Sequence, residues 1–196
     1  MFNKDKSYNS YLEDMEFKAY MFAKEKHNGQ TRRDGSSYIN HPIKVAELVK
    51  KYFNNHPKIK NYILAAYLHD VVEDTDTSIN QISELFGEDI ASLVFSLTND
   101  DELKNKVGKT NYLCIKLYEM DEDSLNIKLC DRLANVLDLK NADLDFAQKY
   151  KIETNIIMSY LLENRILNCI QRNIIDEIIE QLNVMEIPIL VKQINI

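Results

Sequence analysis

The stretch from Ile63 to Asp74 constrains this chain most. Ile63, Leu64, Tyr67, Leu68, Val71 and Val72 repeat as i, i+1, i+4, i+5, i+8, i+9, the spacing of an apolar face on an α-helix. His69, Asp70, Glu73 and Asp74 are embedded in the end of this repeat. Residues i and i+4 share a helix face, so the four are expected to project from one helix end within about one turn. Such groups are costly to bury unless they pair or bind a cation. The fold must therefore bury one side of this helix and still provide its ionisable end with partners.

The rest of the chain also reads as helices. Only four Gly and three Pro occur in 196 residues, too few for a β-sandwich with many tight turns. Phe17, Tyr20, Met21 and Lys24 suggest a first amphipathic helix, and Ile43, Ala46, Val49, Lys50 and Phe53 a second, with Pro42 in its first turn, where a missing N–H costs nothing. Thr77 or Ser78 can cap a short helix that ends at Gly87. Ile90 to Leu97 reads as another. Leu129, Leu133, Val136 and Leu137 fit i, i+4, i+7, i+8, and residues 146–185 read as two helices. The segments 27–40 and 99–110 read as loops. The expectation is an all-α fold in a single domain, with 1–160 as its main part and 161–196 as a helical extension packing on it. The tail after Pro188 reads equally as a strand or as a contact to another subunit, which leaves homo-oligomerisation open.

A net charge of −7 and a pI near 5.2 argue against a partner that is a nucleic-acid polymer, which needs a basic face. A small anionic ligand stays compatible, because a metal or a local cationic pocket overrides global charge. No apolar run approaches the ~18 residues of a spanning helix, and Met1 to Asp14 lacks a signal-peptide core, so no membrane partner is expected. Cys114, Cys130 and Cys169 are odd in number, with no CxxC pair. They read as buried thiols in a reducing, cytoplasmic compartment.

His41 precedes the helix that starts at Pro42, and Asp131 shares a face with Asn135. Two His and two Asp (His41, His69, Asp70, Asp131) can together hold a divalent ion. Imidazole and carboxylate suit Mn²⁺, Fe²⁺ or Zn²⁺, and the missing CxxC disfavours a closed structural zinc site. Such an ion makes bound water more acidic, and Glu73 or Asp74 can orient that water or carry its proton. Each piece is weak alone; a His-Asp dipeptide is usually a structural pair. His27 and His56 read as exposed or locally bonded loop residues, Lys50-Lys51 as a solvated face, and Cys130 as packed. Gly108-Lys109-Thr110 is not a P-loop, since Leu103 stands where its first glycine belongs. The run from Asp74 is not a calcium loop, since Ile79 and Leu85 replace its glycine and glutamate.

Together the motifs resemble a known family. His27-Asn28-Gly29-Gln30-Thr31-Arg32-Arg33-Asp34-Gly35, Tyr38-Ile39-Asn40-His41-Pro42, Ala65-Ala66-Tyr67-Leu68-His69-Asp70-Val71-Val72-Glu73-Asp74-Thr75, Phe86-Gly87 and Ile127-Lys128-Leu129-Cys130-Asp131-Arg132-Leu133-Ala134-Asn135 are similar, in order, to the hydrolase domain of RelA/SpoT homologues, members of the HD superfamily of phosphohydrolases. The resemblance spans roughly residues 15–160. It implies an HD-type helical fold in a small stand-alone hydrolase with one Mn²⁺ on His41, His69, Asp70 and Asp131. It implies that Glu73 and Asp74 handle the attacking water, that Arg32 packs on a guanine base and that Asn135 lines a ribose-phosphate site. Lys109 and Tyr150 fall where relatives place phosphate and nucleoside contacts. The implied reaction removes the 3′-pyrophosphate of ppGpp and pppGpp. Arg33, Ser36-Ser37 and Ala134 depart from the family pattern on the nucleoside side. The altered loop around Ser36-Ser37 motivates one alternative, another phosphorylated nucleotide such as an adenosine alarmone or NADPH. A nucleotide-binding regulator without turnover is a second, and it requires a broken catalytic set, whereas Glu73 and Asp74 are intact.

Overall fold

The computed structural model describes the backbone of residues 4–185 and the side chains of residues 14–185. The tail after Pro188 lies outside the described residues. The helices are α1 (Lys4–Lys26), α2 (Asn40–Phe53), α3 (Ile59–Leu68), α4 (Val71–Asp74), α5 (Ile79–Phe86), α6 (Glu88–Leu97), α7 (Asp101–Val107), α8 (Lys109–Glu119), α9 (Glu122–Asp138), α10 (Leu144–Asn164) and α11 (Cys169–Val184). A 3-10 turn, Leu139–Asn141, joins α9 to α10. Among the described residues there is no strand, only an isolated bridge between Thr31 and Ser37. The fold is all-α, as the scarcity of turn residues predicts.

Helix α9 is the axis of the molecule. It is buried without a break from Ser124 to Ala134, and α2, α3, α6 and α11 all pack against it. A helix buried all round must satisfy its polar residues internally. Gln171 of α11 donates to Asn126 at 2.9 Å, and Asn126 donates to the Tyr62 hydroxyl of α3 at 3.3 Å. A second tie joins α2 to α11, where Lys51 and Tyr52 both donate to Glu177. Lys50 pairs with Glu16, so the exposed Lys50-Lys51 face is solvated and also paired.

Four local expectations change. The helix read through 63–74 divides after Leu68 and resumes at Val71, with Asp70 at φ −98°, ψ −8°. The cause is His69, whose Nδ1 donates to the Ala66 carbonyl at 2.7 Å and so competes for an acceptor of the helix ladder. Helix α1 turns the opposite face inward. Ala19 and Ala23 are buried while Phe17 is 63% and Met21 43% exposed, because small side chains let α1 lie close on α3. Segment 99–110 is largely helical: Asp100 caps α7 by accepting from the Leu103 amide at 2.9 Å. That helix buries no residue, so no apolar stripe announces it. Cys114 and Cys130 are buried, but Cys169, first residue of α11, is exposed. The predicted cap of α5 is Ser78, in a capping box with Gln81, and Gly87 ends that helix at φ 91°.

Candidate metal centre

Four side chains from three parts of the chain meet at one point. His41 comes from the first turn of α2, His69 and Asp70 from the break between α3 and α4, and Asp131 from the middle of α9. His41 Nε2 lies 3.1 Å from Asp131 Oδ1 and 3.7 Å from Asp70 Oδ2. His69 Nε2 lies 3.1 Å from Asp70 Oδ2 and 3.7 Å from Asp131 Oδ1. Atoms held ~2.1 Å from one ion lie about 3–4 Å from each other; His41, His69 and Asp131 offer ligand atoms that all lie within 4.8 Å of one another, and Asp70 sits against both imidazoles. Both His are essentially fully buried. The Nδ1 bond to Ala66 fixes the His69 tautomer and leaves Nε2 a buried atom without a hydrogen-bond partner. A buried orphan acceptor turned toward two carboxylates fits a cation.

The two carboxylates favour a positive charge at this point, which a proton on His69 or a metal ion supplies. Burial disfavours the His69 charge, but Asp70 and Asp131 outweigh it and raise the imidazole to about 10. Burial also works against the Asp131 charge, yet Lys128 and the two His hold its carboxyl well below the usual carboxylate range. Lys128 Nζ sits 2.8 Å from Asp131 Oδ2, and Asn135 donates to Oδ1 at 2.8 Å. The sequence reading assigns Lys128 no role. Its signal is the i, i+3 spacing to Asp131 on a helix with no exposed face in the middle.

Glu73 and Asp74 flank the cluster in different settings. Glu73 accepts three hydrogen bonds from Asn99, one from the backbone at 3.1 Å and two from the side-chain amide at 2.9 and 3.0 Å. Asp74 is raised from its ordinary value, mostly by burial and then by the Asp70 charge. It shares the Tyr38 hydroxyl with Asp70: Oη lies 2.7 Å from Asp70 Oδ2 and 2.8 Å from Asp74 Oδ2. Burial, then the same two carboxylates, holds the Tyr38 phenol far above its ordinary value, so it keeps its proton and acts as a donor. Neither Asn99, read as loop, nor Tyr38, one residue of a longer motif, carries a periodic signal of its own.

Two cavities open beside the four groups. A polar one of about 250 Å³ touches His41, Asp70, Glu73, Asp74 and Asp131, and is ringed by Arg32, Lys104, Lys109, Lys128 and Arg132. A second, of about 230 Å³, is lined by Arg32, Arg33, Tyr38, Asn135, Phe146 and Tyr150 among others. Arg32 stands between them, donating to Asn135 at 3.0 Å and Asp138 at 3.1 Å. Arg33 lies 3.8 Å over the Phe146 ring. Lys109 pairs with Glu153 at 3.1 Å and sits 5.9 Å from the Tyr150 ring centre. Arg132 shares Glu153 and lies over the same ring. All ten residues singled out from sequence line these adjoining spaces or, for His69, the wall behind them. Of the two readings for His27, the locally bonded one holds and the exposed one does not: it is buried, donates from Nδ1 to Gln30 at 2.8 Å and stacks on Tyr38 at 4.6 Å.

A buried His/Asp cluster carried by the helices of an all-α domain defines a class, and the chain belongs to it: the HD domain family matches residues 19–165. The RelA/SpoT likeness rests on particular relatives. The chain is 40% identical over 131 residues to the guanosine-3′,5′-bis(diphosphate) 3′-pyrophosphohydrolase of Aquifex aeolicus, covering 66% of this chain and 18% of that one. It is 33% identical over 148 residues to the bifunctional (p)ppGpp synthase/hydrolase SpoT of Escherichia coli (strain K12), covering 73% and 20%. It is 36% identical over 122 residues to the guanosine-3′,5′-bis(diphosphate) 3′-pyrophosphohydrolase MESH1 of Danio rerio, covering 60% and 65%. A solved structure of a metazoan orthologue of SpoT, described as hydrolysing ppGpp and playing a role in starvation responses, superposes with a TM-score of 0.73 at 27% identity. That match covers 87% of this chain and 97% of that one. The chain spans about a fifth of the length of the first curated relatives it matches. Among the described residues no helix is long and apolar enough to cross a membrane.

Proposed function

We propose that this chain is a metal-dependent alarmone hydrolase, converting ppGpp or pppGpp and water to GDP or GTP and pyrophosphate. The observation that carries this reading is the convergence of four ligand atoms beside a cation-ringed cavity. The names of the relatives supply the substrate class. His41, His69, Asp70 and Asp131 would hold the ion, which we take to be Mn²⁺ ahead of Fe²⁺ or Zn²⁺, since a site of two imidazoles and two carboxylates without thiolate suits it. The bound ion would polarise a phosphoryl oxygen and make water more acidic.

The other groups take roles that their settings support. Release of intact pyrophosphate requires water to displace ribose O3′ at the adjacent phosphorus. Glu73, held in place by Asn99 with an acceptor site to spare, orients that water. Asp74, whose proton affinity is raised, accepts its proton. Asp74 returns that proton to the departing O3′, and Lys109 and its cationic neighbours offset the charge of the pyrophosphate under attack. Arg32 offers a planar guanidinium to the guanine base, Asn135 faces the ribose-phosphate, and Tyr150 borders the nucleoside. The partner is thus a small guanosine nucleotide and not a nucleic-acid polymer. The free cysteines suit a reducing, cytoplasmic setting. We keep 1–160 as the hydrolase domain and 161–196 as its extension, supported by the family match ending at residue 165.

The altered nucleoside side, with Arg33 stacked on Phe146, favours one second reading, an adenosine alarmone or NADPH as substrate. A panel of these nucleotides at equal concentration separates the two. The proposal expects the guanosine alarmones to be turned over fastest; equal or faster turnover of an adenosine compound overturns the base assignment. A regulator without turnover would show tight nucleotide binding and no product with Mn²⁺.

A further inference from the structure

Tyr38 touches two carboxylates of the site, Asp70 and Asp74. Its hydroxyl lies 2.7 Å from Asp70 Oδ2, the oxygen that also faces His69 Nε2 at 3.1 Å and His41 Nε2 at 3.7 Å. The same hydroxyl lies 2.8 Å from Asp74 Oδ2. One oxygen thus spans the group assigned to the metal and the group assigned to the proton. Its ring is held from two sides. His27, buried and anchored by Gln30, stacks on it at 4.6 Å, and Arg32 lies 5.8 Å from its centre. Gln30 closes the arrangement by donating to the Asp74 backbone carbonyl at 2.9 Å. The segment 27–38 is a loop closed by the Thr31–Ser37 bridge and by the Tyr38 amide donating to the Gln30 carbonyl at 3.1 Å, and this frame together with the ring stack fixes the hydroxyl in place.

We propose that Tyr38 is a positioning residue: its hydroxyl, fixed by the stack on His27, holds the Asp70 and Asp74 carboxylates turned toward the ion and the attacking water. The inference rests on the hydrolase reading for its kinetic consequence, but not for its effect on metal binding. Partners that orient a ligand from outside are commonly worth ~10–100-fold in affinity or activity. The ring and the hydroxyl also separate cleanly, because the ring lies under Arg32 while only the hydroxyl reaches the carboxylates.

The test is Tyr38→Phe in the full chain, which keeps the ring and removes one oxygen. Mn²⁺ affinity is measured by calorimetry without nucleotide, and kcat and KM with ppGpp. The expected result is Mn²⁺ binding weakened about tenfold, kcat lowered ~10–100-fold and KM within about twofold of wild type. Tyr38→Leu, which also removes the ring from beneath Arg32, should raise KM as well. An active wild type whose Tyr38→Phe variant keeps both Mn²⁺ affinity and kcat within twofold overturns the proposal. A wild type inactive on every guanosine alarmone sinks the hydrolase reading instead, and the Mn²⁺ affinity comparison then still decides the role of Tyr38.

Discussion

His69 uses the two ends of its ring for different purposes. Nδ1 donates to Ala66 and breaks the helix; Nε2 is left as a buried acceptor facing two carboxylates. Local backbone geometry and ligand geometry are therefore one event at this residue. Asp70→Ala should lose Mn²⁺ binding and turnover together, by more than the ~10–100-fold typical of an outer partner. Glu73→Gln should keep Mn²⁺ affinity and lose most of kcat, because its three Asn99 bonds place it beside the His/Asp cluster and not within it. Near-normal turnover of that variant would refute its assigned role. Arg32→Lys removes the planar guanidinium, one nitrogen of which donates to both Asn135 and Asp138. Steady-state kinetics should show KM up by about tenfold with kcat little changed.

At the scale of elements, α9 carries Lys128, Asp131, Arg132 and Asn135 into the site, and its own seating depends on α11 through a buried amide pair. Gln171→Ala leaves the Asn126 carbonyl unsatisfied and should cost roughly 1–3 kcal/mol in denaturant unfolding. An unchanged midpoint would show that α11 does not brace α9. Legibility from sequence divides along the same lines. The helices at 129–137 and 146–185 were readable because an apolar stripe repeats at 3.6 residues. Helix α7 was not, because Asp100 capping and solvated charges form it without a stripe. The buried face of α1 is not legible, because large apolar residues, Phe17 and Met21, lie outside while Ala19 and Ala23 permit close packing. The ionisable residues of the site stood out by their cost of burial in apolar segments. Tyr38, Asn99 and Lys128 did not, since their importance comes from contacts 26 or more residues away, or, for Lys128, from a burial no pattern announces.

For the whole molecule, the central proposal is an acidic chain built around two His and two Asp, three of them buried, that a cation would complete. An ion that binds only the folded chain stabilises it by about 2.7 kcal/mol at a hundredfold excess over Kd. Thermal unfolding should therefore shift upward with Mn²⁺, and Asp131→Ala should abolish the shift. A chelator should reverse it. A midpoint insensitive to divalent ions would contradict a single structural role for the cluster and the ion.

The most direct measurement is product formation from ppGpp. The purified chain is incubated with ppGpp and Mn²⁺, with a chelator control, and the products are resolved by anion exchange. The account predicts GDP and pyrophosphate in equal amounts, both lost with chelator. Folded, Mn²⁺-loaded protein that releases no pyrophosphate would contradict it.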